Sequence, residues 1–395
     1  MFFMKNVSAI KELHQERTGA LPALFIAPGR VNLIGEHTDY ADGFVMPAAI
    51  DFATIAAISP RRDGQAVIYS RNFDETVSRP IAEVGSRGAH HWSDYPLGVL
   101  ATLLEESIAV PGFDLTLYGD VPLGAGLSSS ASIEVASMMA MLHLAGTSLL
   151  PEKVAQLCQR AENDYVGAPC GIMDQFVSCC GAEDHALLLD CRSLEYRLAP
   201  VPKHLSLVIC NSMVKHSHAG GEYITRRAEV EEGTAILRRH RPEVRLLRDA
   251  TMEDLQQWGH EMPPNVLKRC RHIITENART VAAAEALEAN DLSLLGRLMA
   301  EAHASYRDDF EASCREADIL VDLAMKQPGC IGARLTGGGF GGCTVNLVES
   351  ERAEDFASTM AEGYQEATGI HPEIYLSRAS AGAHAVEEPA RAGRE

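Results

Sequence analysis

A glycine turn that runs without interruption into an apolar stretch organises the middle of this chain. Residues 122–132 read Pro-Leu-Gly-Ala-Gly-Leu-Ser-Ser-Ser-Ala-Ser. Gly124 and Gly126 permit backbone conformations and close approaches that a side chain forbids. The hydroxyls of Ser128, Ser129 and Ser130 fall at the helix start, where unpaired N–H groups and the positive end of the helix dipole attract an anion. A helix needs one cap, and three hydroxyls exceed that need, so the segment reads as a phosphate cradle. The G-x-x-x-x-G-K-[ST] pattern is absent, and the nucleotide class therefore rests on other motifs.

The chain has 395 residues, of which 46% are hydrophobic and 23% charged, a composition of ordinary folded proteins with room for two or three domains. A net charge of −19 argues against nucleic-acid or anionic-membrane partners, which require an extended basic face. An acidic protein that handles phosphates must draw local positive potential from backbone amides, a few arginines and a divalent cation. Residues 1–12 lack the apolar core of a signal peptide, and no apolar run approaches membrane-spanning length. The ten cysteines are scattered without a C-x-x-C pair. These features imply a cytoplasmic protein whose thiols are small buried hydrophobes.

Up to about Asp190, short strand-like runs mix with helices. Leu21–Ala27, Phe44–Ile50, Ala53–Ser59 and Phe113–Tyr118 are rich in β-formers and bounded by turn residues. Ser132–Leu144, apolar nearly all round, reads as a buried helix; Pro151–Tyr165 carries an inward stripe of Val154, Leu157, Cys158, Ala161 and Tyr165. After a strand-like Leu205–Cys210 the pattern turns helical at Tyr223–Arg239, Asn265–Ala289, Leu292–Phe310 and Glu316–Gln327. A strand at Cys343–Val348, a helix over Ser350–Thr368 capped by Ser350, and a strand at Glu373–Ser377 follow. The expected class is α+β in two domains, 1–200 and 201–386, with a flexible tail at 387–395.

Three constellations carry chemistry. In Ala27-Pro-Gly-Arg-Val-Asn-Leu-Ile-Gly-Glu-His-Thr-Asp-Tyr40, the polar Glu36, His37, Thr38 and Asp39 follow an apolar strand, with Gly35 as the turn. Carboxylates and an imidazole at a strand end suit a polyhydroxylated ligand, because each carboxylate accepts hydrogen bonds from hydroxyls. A metal site on His37 and Asp39 has no evident third ligand. Arg30, flanked by Pro28, Gly29 and the strand, is expected to reach inward to an anion.

In Val166-Gly-Ala-Pro-Cys-Gly-Ile-Met-Asp174-Gln-Phe, Asp174 is the only charged residue between Asp164 and Glu183, a setting where an unpaired carboxylate is costly. Glu162, at the margin of the helical stripe, is placed to face the same site. With the serine hydroxyls it makes a Mg²⁺ site of one carboxylate plus substrate phosphate oxygens. The third segment, Thr336-Gly-Gly-Gly-Phe-Gly-Gly342, satisfies G-x-G-x-x-G formally, but a strand follows where a Rossmann helix must begin. A protein-kinase glycine loop fails too, since no lysine strand or H-R-D loop is present. The segment reads as a close backbone approach to a ligand or to the other domain, or as a tight structural turn.

In this order, the three segments resemble the motifs of the GHMP small-molecule kinases, and Gly29-Arg-Val-Asn-Leu-Ile-Gly-Glu-His-Thr-Asp-Tyr40 resembles the signature of galactokinases. The similarity runs from about Ala27 to Val345 and includes Gly171-Ile-Met-Asp-Gln-Phe176, Glu222-Tyr223 with Arg226 and Arg227, and Arg307-Asp-Asp-Phe310. It implies a ribosomal-S5-like amino-terminal domain, a ferredoxin-like carboxy-terminal domain and an active site between them. By the same resemblance, Asp174 is the catalytic aspartate beside the sugar 1-hydroxyl and Arg30 its cationic partner. Glu36, His37, Asp39, Gly171 and Tyr223 hold galactose, and Ser130 and Glu162 hold Mg²⁺. Gly124, Ala125, Gly126, Leu127, Ser128, Ser129 and Ser130 wrap the ATP phosphates. Trp92-Ser-Asp-Tyr-Pro-Leu-Gly98 resembles the adenine-side segment and puts Trp92 at the nucleotide, although Asp94 and Leu97 depart from the family's Asn and Lys or Arg.

The implied reaction moves a phosphoryl group from ATP to the 1-hydroxyl of galactose, in a monomer. Rival readings are a sibling kinase acting on N-acetylgalactosamine or arabinose, a non-catalytic sensor of galactose and ATP, and a metal-dependent hydrolase built on His37 or on His216 and His218. The complete Ser128-Ser-Ser-Ala-Ser132 run and Asp174 favour the enzyme over the sensor.

Overall fold

The computed structural model describes residues 2–85, 87–215 and 219–386; the histidines at 216 and 218 and the tail expected at 387–395 lie outside them. In chain order the elements are α1 (Phe2–Thr18), β1 (Ala23–Ile34), β2 (Phe44–Pro60), β3 (Gln65–Ser70), β4 (Glu75–Pro80), α2 (Asp94–Glu105), β5 (Phe113–Gly119), α3 (Ser129–Leu144), α4 (Pro151–Arg160), α5 (Met173–Cys180), β6 (His185–Asp190), β7 (Tyr196–Pro200) and β8 (Leu205–Lys215). They continue as α6 (Ala219–His240), α7 (Met252–Trp258), α8 (Pro264–Glu288), α9 (Leu292–Asp308), α10 (Arg315–Ala324), β9 (Cys330–Leu335), β10 (Gly341–Glu349), α11 (Ala353–Thr368), β11 (Glu373–Ser377) and β12 (His384–Ala385).

Eight strands form the first sheet, in the order β12-β1-β2-β5-β3-β4, with β6 joined to β2 and β7 to β6. Among the described residues only β3 and β5 pair in parallel. The second sheet is antiparallel, β11-β8-β10-β9. One core lies between the first sheet and α2 to α5, around Leu100, Phe113, Val135, Met141 and Phe176. A second is shared by both sheets with α8 and α9, through Leu33, Met46, Ile209, Val345, Ala283 and Leu295. This continuous apolar seam holds the two sheets together.

Two strands expected at 44–50 and 53–59 are a single one, β2. The polar Asp51 between them is exposed at the crossing where the strand passes from one set of neighbours to another: β6 pairs at Phe44–Val45 and β5 at Thr54–Pro60. β1 extends through the first motif to Ile34, which the expected end at Ala27 cut short, and it is buried from Leu24 onward. Ser350 does not cap the helix expected from it. It sits in a short 3-10 turn, its hydroxyl meets Ser206 at 2.9 Å, and α11 starts at Ala353. The last strand returns to the first sheet, Phe25 and Ile26 pairing with Ala385 and His384. Among the described residues no helix is long and apolar enough to cross a membrane. All ten cysteines are free thiols.

Candidate active site

The register of β1 against β2 shifts between Pro28 and Arg30. The bulge at Gly29 brings the strand against the glycine-serine loop so closely that a Cβ there would lie 2.6 Å from the carbonyl oxygen of Leu127. Arg30 N–H donates to that same carbonyl at 3.1 Å. A bulge re-aims the side chain that follows it. Arg30 is thereby turned inward, where Nε donates to Asp174 Oδ1 at 2.8 Å and Nη2 to Oδ2 at 2.7 Å, while Nη1 reaches the carbonyl of Gly126. This two-bonded fork is the strongest geometry available to a guanidinium and a carboxylate.

Ser128 takes a left-handed conformation at φ 61°, makes no cap bond to the helix, and donates its hydroxyl to Asp174 Oδ2. Its hydroxyl therefore caps nothing, and the glycine-serine loop is tied to the acid instead. Asp174 itself stands in the first turn of α5, facing the start of α3.

Glu162 occupies a widened turn. α4 gives way at Ala161 to a six-residue π-helical stretch, Ala161–Val166, closed by Gly167 in the left-handed region. Such turns shift the side chains they carry off the helical stripe. Glu162 is bonded to the Ser130 hydroxyl, and Gln175 donates to it and, at 3.1 Å, to Glu134 on α3. Burial, with the charge of Asp174 adding to it, pushes the Glu162 carboxyl up to about 7. Glu134 is fully buried, and its Oε1 has no partner.

The turn after β1 carries the remaining groups. Glu36 is buried and accepts from Gly337 N–H at 2.9 Å and from Arg334 at 3.1 Å. His37 is buried with both ring nitrogens engaged, Nδ1 with the Tyr40 hydroxyl and Nε2 with that of Tyr306, each at 3.0 Å. Burial, together with the charge of His272, lowers its pKa to about 3, so the ring is neutral. With both nitrogens used inside the protein, the imidazole contributes shape and apolar surface rather than a ligand nitrogen. Among the described residues no three His, Cys, Asp or Glu side chains gather as a metal site, which leaves the hydrolase reading on His37 without support.

Asp39 passes directly over Gly171. A Cβ on Gly171 would lie 1.6 Å from Asp39 Oδ2. Burial, then the nearby Asp174, raises the Asp39 carboxyl to about 6. An acid raised on folding weakens the fold as it ionises; the loss is absent below the unfolded pKa near 4 and complete above about 6. Asp39→Asn is therefore expected to match the wild-type melting behaviour at about pH 4 and to exceed it at pH 7.5, by roughly 3 kcal/mol for a shift of about two pKa units. Scanning fluorimetry at the two pH values checks this, and a difference that does not change with pH contradicts it.

Arg30, Glu36, His37, Asp39, Glu162, Gly171, Asp174 and Tyr223 line one cavity of about 280 Å³. The loop from Gly124 to Ser130 meets it through Gly126, Ser128 and Ser130, as described. Trp92 lies apart, stacked on Phe73 with centroids 5.8 Å apart and donating its indole N–H to Glu75 at 2.7 Å. The two departures near it are used structurally: Asp94 accepts from His91 N–H at the start of α2, and Leu97 is buried in the first core. The third glycine segment closes over the sugar-signature turn from the second sheet. Gly337 and Gly338 offer their carbonyls to Tyr306 and His37, and Thr336 bonds the backbone of Asn32. Its close approach is thus to the other half of the molecule.

Sequence reasoning passed over Glu134, Gln175, Arg334, Glu276 and Tyr306. A signal was present for two of them: Glu134 is the only charged residue between Asp120 and Glu152, and Arg334 the only one between Lys326 and Glu349.

This arrangement of an S5-like sheet, a glycine-serine loop and an acid forked by arginine defines the class of GHMP kinases. The model of their N-terminal domain matches residues 94–182 and that of their C-terminal domain residues 283–366. The galactokinase galactose-binding signature matches residues 12–60. A galactokinase of Chloroflexus aurantiacus is 45% identical over 360 residues, covering 91% of this chain and 92% of that protein. One of Roseiflexus is 43% identical over 389 residues, covering 98% and 99%. The Lactococcus lactis galactokinase crystallised with galactose superposes with a TM-score of 0.91 at 33% identity, covering 96% of this chain and 99% of that one. Methanococcus jannaschii mevalonate kinase, at 18% identity and a TM-score of 0.66, shares the fold. The chain belongs to the galactokinase family, whose kinase chemistry makes ATP the co-substrate.

Proposed function

We propose that the protein transfers the γ-phosphoryl group of ATP to the 1-hydroxyl of galactose, with Asp174 and Arg30 at the reacting atoms. The observation that carries this reading is the Arg30–Asp174 fork in a cavity that also holds Glu36 and Asp39, with the phosphate loop bonded to both members of the fork. Glu36, Asp39, Gly171 and Tyr223 are assigned to the sugar, His37 to shaping its site, and Gly124 to Ser130 to the triphosphate. Residues 1–200 and 201–386 are the two domains that meet at this cavity, the last strand crossing back to the first.

An ionised carboxylate offers about four acceptor positions, and three on Asp174 are taken by Arg30 and Ser128. One remains for a sugar hydroxyl. Phosphoryl transfer passes through a loose transition state in which charge spreads over the γ-oxygens, so alignment and charge stabilisation outweigh base strength. Asp174 orients the hydroxyl and receives its proton late. Arg30 holds Asp174 and steadies the charge on the group in flight.

Ser130 and Glu162 suit Mg²⁺: an alcohol and a carboxylate oxygen, already bonded to each other, beside a second buried carboxyl on Glu134. When bound there with the nucleotide, the ion neutralises phosphate charge.

Arg30→Ala is expected to reduce kcat by roughly 10²-fold, the scale for losing one aimed group that stabilises developing charge. A rise in galactose KM with kcat unchanged makes Arg30 a binding residue instead. The function itself is tested by coupled ADP release with ATP and Mg²⁺ across galactose, N-acetylgalactosamine and arabinose. Turnover should be highest with galactose; a clear preference for either other sugar overturns the substrate assignment.

A further inference from the structure

Glu36 is aimed by groups that come from the other half of the chain. Arg334 leaves β9 of the second sheet, is wholly buried, and donates from Nη1 to Glu36 Oε1 at 3.1 Å and to the Asn32 carbonyl at 3.3 Å. Gly337 N–H also donates to Oε1, at 2.9 Å. Both hydrogen bonds converge on one carboxylate oxygen of a residue that lines the cavity.

Glu276 on α8 backs this arrangement. Its Oε1 accepts from Gly35 N–H at 2.9 Å and lies 3.9 Å from Arg334 Nη2, while its Oε2 takes Arg279 Nε at 2.8 Å. The result is a row of alternating carboxyl and guanidinium groups, Glu36–Arg334–Glu276–Arg279, the first three buried. Burial alone would raise the Glu276 carboxyl, but Arg279, His272 and Arg334 outweigh it and hold it at about 2.

Arg334 is a costly way to fill this space. Its Nε and Nη2 are buried without a hydrogen-bond partner, and buried ion pairs are commonly matched or bettered by apolar side chains of like volume. What an apolar residue cannot do is hold Oε1 in place. We propose that Arg334 and Glu276 are positioning residues that fix the Glu36 carboxylate for the sugar. This rests on the assignment of Glu36 to galactose.

The test is calorimetric titration of galactose into the full-length protein and into Arg334→Met, Glu36→Gln and the double variant. Arg334→Met should weaken galactose roughly tenfold or more, the scale of losing a hydrogen bond to a charged group, with ATP KM within about twofold of wild type. The double variant should bind no more weakly than Glu36→Gln alone, because one interaction is lost twice. Wild-type affinity in Arg334→Met, or penalties that add in the double variant, overturns the proposal while leaving the sugar assignment intact. Wild-type affinity in Glu36→Gln overturns both. Should Arg334→Met fail to fold, Glu276→Gln keeps the shape and the Gly35 bond. It should weaken galactose several-fold in the wild-type background and not in Glu36→Gln. An unchanged affinity there also overturns the proposal.

Discussion

Asp174→Asn is expected to lower kcat by at least ~10²-fold, the low end for losing a group that receives a proton, with the fold retained. The expectation follows from how the carboxylate is held. Arg30 donates to both of its oxygens and Ser128 to one of them. An amide has one oxygen where the carboxylate has two, so its NH₂ must face an Arg30 donor whichever way it turns, and the Ser128 hydroxyl as well in one of the two orientations. The side chain then turns or loosens, and the acceptor position left for the sugar hydroxyl is lost together with its charge. Asparagine is nearly the same size, so circular dichroism and melting temperature should change little. Near-normal turnover in a folded Asp174→Asn protein removes Asp174 from the reaction.

Gly171→Ala should act on the sugar with comparable force. The new methyl group would stand 1.6 Å from Asp39 Oδ2 and 2.2 Å from its Cγ, well inside contact distance. Neither side can yield easily. Asp39 Oδ1 accepts from Tyr40 N–H at 3.0 Å. The loop carrying Gly171 is pinned at Cys170, whose N–H donates to Asn163 at 2.7 Å and whose carbonyl accepts from Gln159 at 3.2 Å. Expelling the Asp39 carboxylate forfeits the charged hydrogen bonds proposed for the sugar and blocks part of the cavity that Asp39 and Gly171 line. Galactose KM is therefore expected to rise by roughly 10²-fold, the equivalent of nearly 3 kcal/mol, with ATP KM within about twofold of wild type. Adding Asp39→Ala relieves the clash without restoring the carboxylate, so the double variant should regain any lost stability and remain poor in galactose. An unchanged galactose KM in Gly171→Ala contradicts the sugar assignment of this cavity.

The parts of the site that could be read in advance are those where residue type and setting conflict. Asp174 is a solitary charge in an apolar run, and it stands in the cavity. Glu134 and Arg334 carry the same mark and are buried beside it, yet a lone charge does not declare which face of its helix or strand it takes. The π-helical turn that carries Glu162 leaves no trace in an apolar stripe that continues to Tyr165; it packs on α2, a contact that the stripe does not encode. His37 reads as an open imidazole until Tyr306, 269 positions away, fills its second nitrogen. β1 and β2 were cut short because glycine, proline and a single aspartate are strand-breaking signals, which burial of both faces overrides here.

Product identity tests the central assignment most directly. After incubation with galactose, ATP and Mg²⁺, phosphorus–proton correlated NMR should show the new phosphoryl group coupled to the anomeric proton, as the role proposed for Asp174 beside the 1-hydroxyl requires. Coupling to the protons at carbon 6, or ADP release with no phosphorylated sugar, contradicts it.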